Sequence, residues 1–212
     1  MRVVNVRCPK PMARELGVGV AAARAAERSW LEERREQVRL RVLDEDLSAA
    51  KRRVLLGELN AEFYRLRAAG VLVGTRTAFV LPALRSVLQT KGWTVRRWRP
   101  VPRQPAGRPW GTHDQGFDAR VALHLPDDVA ELLVRACYWV SKPAVDKLQA
   151  WYDLHGDHWR GRLHDPDARW IGAGPSHSDL SERDRLAAQV VTTGMVLREA
   201  IRASLEVNKV ET

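Results

Sequence analysis

Residues 12–43 read MARELGVGVAAARAAERSWLEERREQVRLRVL, and this stretch decides the fold class. Ala21, Ala22, Ala23, Ala25 and Ala26 are strong helix formers, because alanine gives up no side-chain entropy in a helix. After them, Glu32/Glu36 and Arg35/Arg39 lie four apart among opposite charges, the spacing of a solvated helical face. Asp44-Glu45-Asp46 punctuates the run, and acidic residues suit the positive end of a following helix. Leu55, Leu59, Phe63 and Leu66 then form one apolar stripe that stops near Gly70. Two long helices joined by a short turn predict an N-terminal helical hairpin over residues 1–70. Ahead of it, Val3, Val4 and Val6 predict a short strand, ended by Pro9 and Pro11.

Beyond Gly70 the period shifts. Val71, Val73, Thr75, Thr77 and Phe79 alternate as a strand would. Pro82 is then expected to open a short helix with Leu84, Val87 and Leu88 inward, closed by Gly92 in a left-handed conformation. Trp93 to Val101 alternates again and predicts a strand with a basic face. Residues 100–116 hold four of the eleven prolines and three glycines, the composition of a linker or long hairpin loop. Ala119 to Leu125 reads as a strand, with Val121, Leu123 and Leu125 on one face and Arg120, Ala122 and His124 on the other. Pro126-Asp127-Asp128 starts a helix striped by Val129, Leu132, Leu133, Ala136 and Val140. Ser141-Lys142-Pro143 looks like a second helix start with Ser141 as N-cap, followed by Val145, Leu148 and Tyr152. Residues 154–178 read as irregular. Ser181 with Asp184 resembles a capping pair before a last helix carrying Leu186, Val190, Leu197, Ile201 and Leu205.

The sum is a helix-dominated α+β chain: an N-terminal helical hairpin, a few short strands in the centre and C-terminal helices. Three sections are expected, 1–70, a basic 71–112 and a mainly helical 113–212, or one continuous domain. The 212 residues suit that size, and 45% hydrophobic content belongs to a chain that folds. Two cysteines, Cys8 and Cys137, cannot build a disulfide scaffold or a zinc ribbon. No apolar run approaches the roughly 20 residues of a membrane span, and the first residues lack a signal-peptide core. A cytoplasmic protein is the expectation.

The formal charge is +9, from 35 basic and 26 acidic residues, and it is unevenly placed. Residues 1–109 carry +13 and residues 110–212 carry −4. From Phe63 to His113 there is no acidic residue, against ten basic ones: Arg65, Arg67, Arg76, Arg85, Lys91, Arg96, Arg97, Arg99, Arg103 and Arg108. Codon bias explains arginine over lysine; it does not explain fifty residues without a carboxylate. Such a segment concentrates polyanions. Trp93, Trp98 and Trp110 are interleaved with its arginines, joining guanidinium groups that pair with phosphates to indole faces that stack on bases. The expected function is therefore non-enzymatic nucleic-acid binding, as a regulatory or accessory factor. Arg96, Arg97, Arg99, Arg103 and Arg108 would contact phosphates, with Trp98 stacking. The sequence calls for no cofactor.

Two other constellations compete. Arg120-Val121-Ala122-Leu123-His124-Leu125-Pro126-Asp127-Asp128, followed by two short helices, resembles the ribbon-helix-helix DNA-binding family over about residues 118–154. That resemblance implies paired strands from two chains in the major groove, with Arg120, Ala122 and His124 as readers. The chain departs from the family in lacking a glycine at the inter-helix turn and in placing Ala122 at a reading position. The run from Asp153 to Asp167 holds three histidines and four aspartates, donors that suit a divalent metal, with His155, His158, His164 and Asp165 as ligands. This spacing matches no metal motif of known mechanism, and Asp and Gly also make ordinary surface turns. It carries the alternative function, a metal-dependent enzyme on nucleic acid or phosphate esters. The further alternative is a helical interaction factor with a protein partner or a second copy of the chain. No G-x-S-x-G elbow or Walker loop occurs, Gly17-Val18-Gly19 has no phosphate-loop pattern, and Cys137 sits among apolar residues as a small hydrophobe.

Overall fold

A computed structural model describes residues 1–102, 116–155 and 175–210. Among these the chain runs β1 (Arg2–Cys8), α1 (Lys10–Asp44), α2 (Ala49–Ala68), α3 (Arg76–Thr90), β2 (Ala119–Leu125), α4 (Asp127–His155), α5 (His177–Ala188) and α6 (Thr193–Val210). Helix dominates, as the composition implies.

The two strands pair antiparallel with each other, Arg2 opposite Leu125 and Cys8 opposite Ala119. Their inner faces are Val6 and Cys8 against Val121, Leu123 and Leu125, all buried. The sheet joins the largest buried cluster, with Leu16 and Val20 of α1, Val80, Leu84 and Leu88 of α3, Leu133 and Ala136 of α4, and Leu197 and Ile201 of α6. Arg198 of α6 is buried beside the sheet and donates to the Arg7 carbonyl at 3.0 Å. A second cluster, Ala144, Leu148, Leu186 and Val190, seats α5 on the far half of α4.

The helical hairpin forms as expected. Ser48 caps α2, its hydroxyl accepting from the Lys51 amide. At the other end, Gly70 (φ +76°) donates to Arg67 and Val71 to Leu66, the paired bonds of a left-handed helix stop. Most of this arm lies away from the core. In α1 the last buried residue is Glu27, and in α2 only Leu59 is buried.

Four local expectations fail, each for a physical reason. Val71–Leu81 is not a strand: Thr75 caps α3 by accepting from the Ala78 amide at 3.1 Å, and Phe79, Val80, Leu84, Val87 and Leu88 bury one helical face. Pro82 therefore lies inside α3 rather than at its start. Proline there gives up one backbone bond, and the buried face outweighs it. Trp93–Val101 is irregular: side-chain donors from Trp98, Trp139 and Arg135 take the Trp93, Arg99 and Trp98 carbonyls that a ladder would use. Helix α4 passes through Ser141-Lys142-Pro143 unbroken, burying Ala144, Leu148 and Trp151 beyond the proline. Ser141 is no N-cap. Its hydroxyl donates to the Val191 carbonyl at 2.9 Å and accepts from the Val191 amide at 2.8 Å, clamping α4 to the α5–α6 link. The last expected helix is two, and its cap is Ser176 with Asp179, which form a reciprocal capping box one turn before Ser181.

Candidate functional site

The basic segment begins where α3 stops. Gly92 (φ +68°) donates to Gln89 and the Trp93 amide to Leu88, turning the chain so that the Trp93 ring enters the core. From there, side chains hold the backbone in place of a ladder. The Trp98 indole donates to the Trp93 carbonyl at 2.9 Å, and the two rings meet edge to face at 6.3 Å. Trp139 of α4 donates its indole N–H to the Arg99 carbonyl at 2.9 Å, and Arg135 reaches the Trp98 carbonyl at 3.4 Å. Half-buried indoles and a helix arginine thus fix an irregular segment.

Arg96, Arg97 and Arg99 of this segment are all exposed. Among the described residues none of the three forms an ion pair. Lys91, by contrast, is paired with Glu199 of α6 at 2.8 Å. Trp98 is half-buried, with the Arg96 guanidinium 5.9 Å above its ring. Its indole N–H is spent on the Trp93 carbonyl, so it anchors the segment as well as offering a π-face. Arg103 and Arg108 lie outside the described residues.

Of the expected metal ligands, His155 ends α4 with its ring 4.4 Å from that of Trp151. His158, His164 and Asp165 lie outside the described residues. Among the described residues no three His, Cys, Asp or Glu side chains converge as a metal site would need. The ribbon-helix-helix arrangement is not formed: β2 pairs with β1 of its own chain, and α4 has no turn that would divide it in two. Arg120 faces Arg7 across the sheet, and His124 faces Val3.

One feature was not anticipated. A cleft of about 880 Å³ opens between α1, the end of α2, the start of α3 and the outer face of β2. Arg24, Arg28, Arg67 and Arg76 line it, against the single carboxylate of Glu27. Arg67 pairs with Glu27 Oε1 at 3.0 Å, and Arg24 donates to the Gly74 carbonyl at 2.7 Å. Gly74 lets these side chains approach closely, because a Cβ there would displace the ends of both Glu27 and Arg67. The signal was present in α1. Gly17, Val20, Ala21, Arg24, Glu27 and Arg28 share one helical face at spacings of three and four. The small residues of that face leave room beneath its charged ones.

Among the described residues no helix is long and apolar enough to cross a membrane. No protein-family model, curated protein or solved structure matches the chain.

Proposed function

We propose that this chain is a nucleic-acid-binding protein that acts by contact rather than by catalysis, as a regulatory or accessory factor. The observation that carries the reading is the trio Arg96, Arg97 and Arg99: exposed, without carboxylate partners among the described residues, and mounted on a backbone pinned by Trp93, Trp98 and Trp139. Guanidinium groups pair with phosphates through two parallel hydrogen bonds, and a pre-ordered backbone lowers the entropy lost on binding. Trp98, with Arg96 above it, supplies a flat platform for a base at the same place.

Replacing Arg96, Arg97 and Arg99 together by alanine tests the reading. Each phosphate contact contributes about 0.9 to the slope of log affinity against log salt, so the slope should flatten by up to about 3. Affinity for a duplex or single strand should fall with it, measured by fluorescence anisotropy across a salt series. Unchanged affinity in the triple variant would sink the assignment. The three side chains are exposed, so the variant is expected to fold as the parent does.

A further inference from the structure

We propose that the cleft between α1, α3 and β2 binds a small phosphate monoester that also carries a hydrogen-bond donor, such as a sugar hydroxyl. This is a second site, separate from the Arg96–Arg99 segment. The two lie at opposite ends of α3, a 15-residue helix and so about 22 Å long.

Three independent features meet in the cleft. The first is charge: four guanidinium groups against one carboxylate leave an excess of three positive charges in a concave space. Two of the four are committed, Arg67 to Glu27 and Arg24 to the Gly74 carbonyl, while Arg28 and Arg76 have no carboxylate partner among the described residues. The second is the start of α3. Thr75 caps the Ala78 amide and its carbonyl takes the Phe79 amide, so the Arg76 and Thr77 amides remain without intrahelical partners on residues that line the cleft. Helix amides and arginines together are a phosphate-binding arrangement.

The third feature points to a ligand with more than a phosphate. Glu27 lines the cleft and is 9% exposed, and its Oε2, buried against Gly74, has no hydrogen-bond partner. A buried carboxylate oxygen without a donor is unfavourable, and a ligand N–H or O–H satisfies it. Inorganic phosphate at neutral pH answers the arginines and carries a P–O–H only on the phosphate itself, whereas a sugar or nucleoside places its donor at a distance from the phosphate. A phosphorylated sugar or nucleoside answers both the arginines and Glu27, and the cleft has the volume of a small-molecule site. The phosphate monoester can belong to a free metabolite or to the 5′ end of a nucleic-acid strand.

Calorimetric titration with three probes tests this: inorganic phosphate, ribose 5-phosphate, and a 5′-phosphorylated trinucleotide beside its 5′-hydroxyl twin. Ribose 5-phosphate should bind saturably and at least tenfold tighter than phosphate. Arg28→Ala and Arg76→Ala should each weaken it at least tenfold. Gly17→Glu is the control for folding. A Cβ at Gly17 meets nothing within 4 Å, and Gly17 lines the cleft, so the variant adds a negative charge at its wall. Losing a helical glycine should also keep the melting temperature level or raise it. That variant should abolish binding. A trinucleotide that competes with ribose 5-phosphate only when 5′-phosphorylated identifies a strand end as the source; failure to compete identifies a free metabolite. The Arg96, Arg97 and Arg99 triple variant should bind ribose 5-phosphate as the parent does, so the two readings can fail separately. Absence of saturable binding by ribose 5-phosphate and by the phosphorylated trinucleotide, or binding that survives Gly17→Glu, overturns the proposal.

Discussion

The two ends of α3 are both rich in arginine, yet they are built in opposite ways. At its start the arginines line a cleft, and the local fold commits Arg67 to Glu27 and Arg24 to a carbonyl. At its end the arginines stand on the surface, and the fold commits the backbone beneath them instead, through the Trp98 and Trp139 indoles. A concave site with fixed donors suits a small ligand that must be surrounded. A convex ridge of exposed arginines suits a long polyanion that is touched on one side. Positive charge alone does not separate these uses; what the charges are anchored to does.

The comparison can be broken at either end. The largest effect is expected from Trp93→Ala. Trp93 is 5% exposed within the main core, and truncating a buried tryptophan costs about 3–5 kcal/mol. Chemical denaturation should show that loss. A change below 1 kcal/mol would mean that the basic ridge does not rest on the core. A smaller effect is expected at the other end from Gly74→Ala. The added methyl must displace the ends of the Glu27 and Arg67 side chains, at the low end of overpacking costs, about 1 kcal/mol. A neutral or stabilising result would show that the Glu27–Arg67 pair is free to move.

The smallest effect on stability, and the most local readout, comes from Cys137. Burial pushes its thiol up to about 12, against the opposing pull of Lys91. At pH 8 it is therefore protonated and should resist alkylation in the native protein, while labelling readily in denaturant. Mass spectrometry after iodoacetamide treatment reads this directly. Because Lys91 immediately precedes the Gly92 turn, labelling of Cys137 in Trp93→Ala at a rate above that of the parent would report opening at the basic end. Fast labelling in the parent would contradict a closed core there.

Much of this architecture is legible in the residues. The stripe Leu55, Leu59, Phe63 and Leu66 and the charge spacing of 32–39 give the hairpin, and the alternation of Val121, Leu123 and Leu125 gives β2 to the residue. The misreadings come from short stretches in which two periods overlap. Val71, Val73, Thr75, Thr77 and Phe79 alternate, but the threonine hydroxyl of Thr75 is better used as a cap, and α6 supplies an apolar face for a helix to cover. Trp93–Val101 alternates, but its backbone carbonyls are taken by indole and guanidinium donors instead of a ladder. Ser141-Lys142-Pro143 reads as a new helix start only locally; the buried Ala144, Leu148 and Trp151 carry one helix through it. The basic ridge was visible as missing carboxylates. The cleft was not, because Glu27 and the four arginines come from three elements, and no linear pattern records that α1 crosses the start of α3.

The pairing of β1 with β2 also sets a timetable. The first strand is complete at Cys8, but its partner among the described residues ends at Leu125, so more than a hundred residues must be made before the two can pair. At ordinary rates of synthesis, 5–20 residues per second, that wait is roughly 6–23 s. The hairpin of α1 and α2 needs only neighbouring residues and can form as it emerges, whereas the sheet and the core beneath it are non-local and late. During that interval the apolar Val3, Val4 and Val6 wait without the partner that pairs them in the folded chain. That interval is thus an aggregation-prone one, and the arm, with little of its own to bury, is the part that is ready before the sheet.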